Sequence, residues 1–597
     1  MTKNITSLLL VLITFANLSF AGNTKFLRPK VKKQNVVNEP SYTQSTSQLP
    51  SYTRNGGNSV NDANWVYIDS MPNCYGTGSA DINPLSYDVT SHAIAVIHRG
   101  HTSVSPHGTS GTLWYNTSAD MGTNWPRCGT ALNGDVDGSG RYPSAAIANP
   151  GNSTNPGETF FEYSYPQLQP GGGSWGLLGI GLDVYSSCTP FTTIYGDASL
   201  DYGAGTYIAS AEDGSNDVYF VTERTDAAGG ASNLSFWKTD NLGETWTEAK
   251  LWNGTAEGWT ALFAERVHCK GNTVYVEAAV TSTDFAHLYF TVTKSEDGGA
   301  TWSSWTSASD WPSLSDGYDD IGTIDGRVAH DFVVDANNNY HILFSGIDTT
   351  SGAFSILHLS SNNGSWDVEK IADRTNSFIT GFSALSQMDN ELFASISQDR
   401  NSIMVKWVDA PVEGDSAGDI FLKGWSNGMW YETMNVTQTN SGTKQREMQT
   451  HIAPRFMKDG NAANVVIMKT TQLADVPDSD LDDTAPTSIW GANVMYNFIT
   501  GVTEREPGVP TNFALHANYP NPFNPSTTIS YDIANAANVS LNVYDITGKE
   551  VATLFNGYQA AGKYKVEFNA SILASGLYLM KLQAGEFVTT QKIMLSK

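Results

Sequence analysis

A chain of 597 residues is too long for one small hydrophobic core, and its 40% apolar and 11% aromatic content is that of a globular protein rather than a disordered one. The formal net charge of −26 argues against nucleic acid or an anionic membrane as partner, because both are bound through basic patches. Residues 1–21 read as a secretory signal peptide, with Lys3 in a short charged start, an apolar run from Leu8 to Ala16, and small Ser19 and Ala21 before a cleavage point. That run is too short to span a bilayer, and no other stretch approaches the ~20 apolar residues of a membrane helix, so no transmembrane segment is expected. Residues 22–60, rich in Ser, Thr, Gln and Asn with Lys30, Lys32 and Lys33, read as a flexible leader. Cys74, Cys128, Cys188 and Cys269 are far apart and hold no Cys-x-x-Cys pair. This points away from zinc and toward one or two disulfides, whose pairing the spacing leaves open.

Runs with period-two alternation follow at His92 to His98, Phe160 to Tyr165, Val218 to Thr222, Val274 to Val280, His341 to Ser345, Glu391 to Ser397 and Val465 to Met468. Each reads as the second strand of a small sheet. Between them recurs the pattern Ser/Thr-x-Asp/Asn-x-Gly-x-x-Trp: Ser118 to Trp125, Thr239 to Trp246 and Ser295 to Trp302, with partial copies at Ser360 to Trp366 and Asn427 to Trp430. Trp246, Trp302, Trp366 and Trp430 stand 56, 64 and 64 residues apart, and Trp125 precedes Trp246 by 121. The unit is therefore roughly sixty residues long. Within the pattern the Asp or Asn accepts backbone N–H bonds, Gly supplies a positive φ, and Trp packs over the turn.

Repeats of this length made of short strands are the signature of a β-propeller, so the fold class is all-β, with seven blades expected and six as the alternative. The unit from Gln449 to Ile499 has three strands, and Asn64 to Ile68 is a strand without the rest of its unit. Joining the two closes the ring and hides two sheet edges. Over residues 61–502 the sequence resembles the Asp-box (BNR-repeat) propellers, the superfamily that includes sialidases. The resemblance implies that Ser118, Asp120, Gly122, Trp125, Asn241, Gly243, Trp246, Ser295, Asp297, Gly299 and Trp302 are structural, on the blade periphery.

For the central funnel the sequence offers four arginines at the first-strand starts, as ligand-binding candidates. Arg141 and Arg327 each stand eight residues before the Asn149 or Asp335 that ends their strand, and Arg266 and Arg455 stand about four before theirs. Converging guanidiniums clamp a carboxylate bidentately, which the resemblance to sialidases would make an acidic sugar. Arg141-Tyr142-Pro143 resembles the Arg-x-Pro of the sialidase motif, yet Gly140 replaces its aromatic and no Tyr–Glu nucleophile pair stands out, so catalytic residues stay unassigned. The same arginines also read as ion pairs between blades. No cofactor is expected. Asp135 to Gly140 has oxygens at alternate positions as in the first half of a calcium loop, although Ala146 stands where a bidentate acid would be needed, and Asp478, Asp480, Asp482 and Asp483 form a second acidic loop; both read as solvated turns, with calcium binding as the alternative. His98, His101 and His107 read as loop residues.

Beyond a linker over 503–512, residues 513–597 carry five or six alternating strands, as in a small immunoglobulin-like sandwich. NYPNPFNPST from Asn518, VYDITGKEV from Val543, AGKYKVEFN from Ala561, SGLYLMKL from Ser575 and the terminal QKIMLSK resemble the type A C-terminal sorting domain of type IX secretion cargo. That resemblance implies the type IX machinery as partner and passage through the periplasm and across the outer membrane, to secretion or surface attachment. Three functions are then expected of the propeller: binding an extracellular glycan or other macromolecule, sialidase-like glycoside hydrolysis, or a structural surface role.

Overall fold

The computed structural model describes residues 63–71, 82–100, 111–134, 140–168 and, with gaps at loops, most of 176–498 and 512–597. The expected signal peptide and leader, most of the linker, Asp135 to Ser139, Asp478 to Asp483, His101, His107 and Cys74 lie outside the described residues.

Residues 66–497 form a β-propeller of antiparallel sheets whose strands run outward from a common axis, the last two sheets being joined by a short parallel pairing of Ile396 and Ser397 with Arg455 and Phe456. The first sheet pairs Leu85–Tyr87, Ile94–Arg99 and Leu113–Ser118, with Pro126 to Leu132 along its outer edge. The second is Ser144–Ala148, Phe160–Gln167, Leu177–Val184 and Phe191–Gly196, and the third Tyr207–Ser210, Val218–Asp226, Asn233–Thr239 and Thr247–Asn253. Next come the sheets of Trp259–Lys270, Thr273–Ser282 and Leu288–Ser295, and of His330–Val334, Tyr340–Ile347, Phe354–Asn362 and Ser365–Arg374. Another is built on Phe393–Ser397, Ser402–Asp409 and Asp419–Ser426. In the last sheet Met448–Ile452, Ala462–Gln472 and Thr487–Asn497 are completed by the N-terminal strand Val66–Met71, which pairs with Thr487–Asn497 from Val66 opposite Gly491 to Met71 opposite Thr487. The ring is thus closed by its own N-terminal strand.

Each sheet is covered on both faces by its neighbours, so inner strands are buried along their length, as in Ile94–Arg99. This explains one departure from the sequence reading. Glu391 to Ser397 was expected as a second strand, but Phe393–Ser397 is innermost and Ser402–Asp409 is second. Two-sided burial gives first and second strands the same apolar pattern. His98 likewise is a buried strand residue rather than a loop residue, bonded to Asn116 Oδ1 at 2.8 Å and Arg99 O at 2.9 Å.

The recurrent turns have one geometry. Asp120 Oδ1 accepts from the Ser118 hydroxyl (2.8 Å) and from the backbone N–H of Thr123 and Asn124, while Gly122 N–H donates to Ser118 Oγ. Asp297 and Asn241 repeat this with Ser295 and Thr239. The Trp of each turn fills the seam with the preceding sheet. Trp125 packs with Ile68 and Ile489, Trp246 with Phe160 and Leu182, and Trp302 edge-on to Phe236 and Trp252 at 4.8 and 4.9 Å. A disulfide joins Cys128 to Cys188, tying the first sheet to the second, and Cys269 is a buried free thiol.

Residues 514–595 fold as a β-sandwich. One sheet orders Glu550–Gln559, Ala537–Tyr544, Gly576–Ala584 and Phe587–Leu595; the other orders Ala514–Leu515, Ser526–Ile533 and Gly562–Asn569. Leu541, Val543, Ile529, Tyr531, Val566, Met580 and Leu582 fill the space between them. The Asn-Pro-Phe stretch latches the edge strand Phe587–Leu595. Phe523 is buried in the core, its N–H donates to Met594 O, its carbonyl accepts from Ser596 N–H, and Asn521 Oδ1 accepts from Met594 N–H. A free strand edge is thereby covered.

Candidate functional site

The innermost strands meet around a cavity of about 300 Å3 on the propeller axis, walled by residues of the first four sheets and of the two last. At the end where these strands begin, Asn83 ties three sheets together. Its side-chain amide donates to Ala145 O (3.1 Å) and Ile208 O (2.9 Å) and accepts from Ile208 N–H (3.2 Å), while its own N–H donates to Ser144 Oγ (3.0 Å).

The charged groups gather where the strands end. Glu212 lies just past Tyr207–Ser210, and its carboxylate sits between two guanidiniums: Arg455 Nη1 donates to Oε1, and Arg400 donates to Oε2 from Nη2 at 2.6 Å and Nε at 3.1 Å. Arg400 stands in the turn after Phe393–Ser397 at a φ of 58° and also donates to Val334 O and Cys269 O. Its guanidinium therefore touches the inner ends of three other sheets. Arg455 Nη2 donates to Gln398 O (3.1 Å), and Arg455 Nε has no hydrogen-bond partner among the described residues.

Burial raises the carboxyl of Glu212, but Arg455 and Arg400 outweigh it and leave it below the usual carboxylate range. Glu212 is ionised at neutral pH and accepts hydrogen bonds. His268, also in the wall, is pushed down to about 3 by burial and then by Arg400, Arg266 and Arg455, so it is neutral. Asp88 Oδ2 accepts from the Ser91 N–H and hydroxyl and from Asn149 Nδ2 at 2.8 Å. Asn152 is an exposed rim residue at a φ of 53°.

Of the four arginines expected in the funnel, the structure brings Arg455 to the cavity. Arg266 is a correction: its side chain is 0% exposed, bonded to Asp331 Oδ1 (3.2 Å) and His330 O (2.9 Å) and stacked over Tyr207, so it is an ion pair between sheets with no access to a ligand. Arg141 is buried ahead of Ser144–Ala148, with Nη1 on Gly140 O, and is not part of the cavity wall. Arg327 lies in a short strand paired with Thr323–Ile324, and its side chain lies outside the described residues. Glu212, Arg400 and Gln398 are not among the sequence candidates, which all stand at strand starts. The usable signal was position: Glu212 and Arg400 occupy the turns after first strands, as Asp88, Asn149 and Asp335 do.

Among the described residues no cluster of His, Cys, Asp and Glu could hold a metal, and no helix is long and apolar enough to cross a membrane. Fold and cavity together define a β-propeller with a polar axial site. Residues 517–596 match the family described as Secretion system C-terminal sorting domain. The chain is therefore cargo of the type IX secretion system, exported to the cell surface or the medium. A comparison with curated proteins finds no match. Similar solved structures include the GH93 α-L-arabinofuranosidase of Fusarium graminearum with arabinobiose (12% identity, 60% of this chain and 94% of that one, TM-score 0.35). An α-L-arabinanase of Penicillium chrysogenum with arabinobiose has 10% identity over 60% and 94%, TM-score 0.35. The GH32 β-fructofuranosidase of Bombyx mori has 13% identity over 64% and 84%, TM-score 0.27.

Proposed function

We propose that the propeller of this secreted protein is a seven-bladed Asp-box ring that binds an extracellular glycan in its axial cavity without chemistry. The blade number rests on the sheets built around the seven inner strands that begin at Leu85, Ser144, Tyr207, Trp259, His330, Phe393 and Met448. The observation that carries the binding reading is the state of Glu212. Hydrolysis of a glycoside needs one carboxyl that can give a proton and one free to attack or to activate water, whereas Glu212 has both oxygens taken up by two guanidiniums that also hold it ionised, which suits neither role. What remains is a pocket of amide, hydroxyl and carboxylate groups beside Tyr87 and Tyr207, chemistry suited to sugar hydroxyls.

A glycan array probed with the mature protein and with Asn152→Gly tests this. Glycine tolerates the positive φ at that rim position, so the variant loses an amide and no backbone comfort. Hits weakened in Asn152→Gly support the reading. Cleavage of any hit with release of reducing sugar replaces it with the hydrolase, and an array without hits leaves a structural surface protein.

A further inference from the structure

Two arginines converging on one carboxylate are the arrangement that would seat an anionic ligand, and in this cavity a residue of the chain itself occupies the seat. Glu212 Oε1 takes Arg455 Nη1, and Oε2 takes Arg400 Nε and Nη2. The three residues come from different sheets, with Glu212 and Arg455 separated by 243 positions, so the contact is set by tertiary structure. The side chains are partly open to the cavity: 25% of Glu212, 16% of Arg455 and 7% of Arg400 remain exposed. The other ionisable wall residues are Asp88, His268, Tyr87, Tyr207 and Cys269, and burial raises the last three so that they stay neutral. With His268 neutral, the two guanidiniums and the two carboxylates cancel.

We propose that Glu212 is the specificity-determining residue of the axial cavity: it is a tethered counter-anion that fills the seat between Arg400 and Arg455, so the cavity takes a neutral, hydroxyl-rich ligand and turns away carboxylate-bearing ones. A tethered carboxylate competes at an effective concentration that dissolved anions do not reach, on the order of millimolar or more even for loose tethers. An acidic sugar entering the wild-type cavity would meet a net charge near zero and the negative oxygens of Glu212. The seat stands on the ion-pair geometry alone; the hydroxyl-rich ligand rests on the reading of the cavity as a glycan site.

The test is to empty the seat. Melting of wild type, Glu212→Ala and Glu212→Gln is followed in sodium acetate against sodium chloride at equal ionic strength. Both variants melt lower than wild type in chloride, and in Glu212→Ala acetate restores part of the loss with a saturable dependence that neither wild type nor Glu212→Gln, whose amide still fills the seat, shows. Adding Arg455→Met to Glu212→Ala removes the acetate response. Equal behaviour of all proteins in the two salts overturns the seat, as does a wild type that responds to acetate as Glu212→Ala does. Should Glu212→Ala fail to fold in chloride, Glu212→Ser, which also empties the seat, is read by the same criteria. On the glycan array, wild-type hits confined to neutral sugars agree with the proposal, and hits confined to sialic or uronic acids overturn it. Acetate rescue with an empty array would sink the glycan reading and leave the seat standing.

Discussion

Glu162 and Gly243 meet across the seam between the second and third sheets: a methyl group built on Gly243 would stand 2.6 Å from Glu162 Oε2. Gly243 sits in the recurrent turn at a φ of 77°. Gly243→Ala therefore combines backbone strain with a clash against a buried carboxyl, and should cost about 2 kcal/mol or more. Urea unfolding of the variant checks this; an unchanged midpoint would mean that the seam yields.

Glu162 itself is fully buried, and neither carboxylate oxygen has a hydrogen-bond partner among the described residues. Burial pushes it up to about 8, so at pH 7 it carries a proton. The unfolded chain releases that proton near 4.5 and the folded one near 8, so this residue's stability contribution is whole below 4.5 and falls as pH rises to 8. Glu162→Gln should remove the slope, gaining a few kcal/mol over wild type at pH 8 and little at pH 4.5. Parallel stability curves for the two proteins would contradict the account.

The opposite slope belongs to His358, which is buried against a second histidine. His341 Nδ1 lies 2.8 Å from His358 Nε2, and His358 Nδ1 lies 2.9 Å from Glu369 Oε1, which also accepts from Trp430 Nε1. Burial holds His358 down to about 4 despite the hydrogen bond to Glu369. Because the unfolded histidine takes its proton near 6.5, stability is full above that pH and declines as pH falls toward 4. Melting temperatures between pH 7 and 4 should fall less steeply in His358→Gln than in wild type. Equal slopes would remove His358 as their source.

Removing the Cys128–Cys188 bridge, which closes a loop across 60 positions, should cost about 4 kcal/mol by loss of the constraint on the unfolded chain. Denaturant unfolding of the Cys128→Ser/Cys188→Ser double variant measures it, and an unchanged free energy would show the link to be redundant with the sheet contacts.

Deleting residues 513–597 should leave a folded propeller in the periplasm, since the match to the sorting domain spans 517–596. Fractionation of cells expressing both forms decides it. Equal amounts in the medium would contradict export through this domain.

Local signals were legible in the sequence and distant ones were not. The recurrent turns could be read because Ser118, Asp120 and Gly122 bond to one another within four residues. Ring closure could be read from an unmatched strand at each end, and the sandwich from alternation, although Ser526–Ile533 was hidden in the Asn-Pro-Phe motif. Arg266 shows the limit. Its partner Asp331 is 65 positions away, and nothing local separates a guanidinium committed to a neighbouring sheet from one aimed at a ligand. Glu212 differs: its place in the turn after a first strand was legible, but its partner Arg455, 243 positions away, was not.

The most direct test of the central claim is calorimetric titration of the mature protein with its best glycan-array hit, beside Asn152→Gly and Glu212→Ala. The account predicts one-to-one binding by wild type, at least about tenfold weaker binding by Asn152→Gly at an unchanged melting temperature, and a gain of affinity for the carboxylate-bearing analogue in Glu212→Ala. Unaltered affinities in both variants would place the ligand away from the axial cavity and contradict the account.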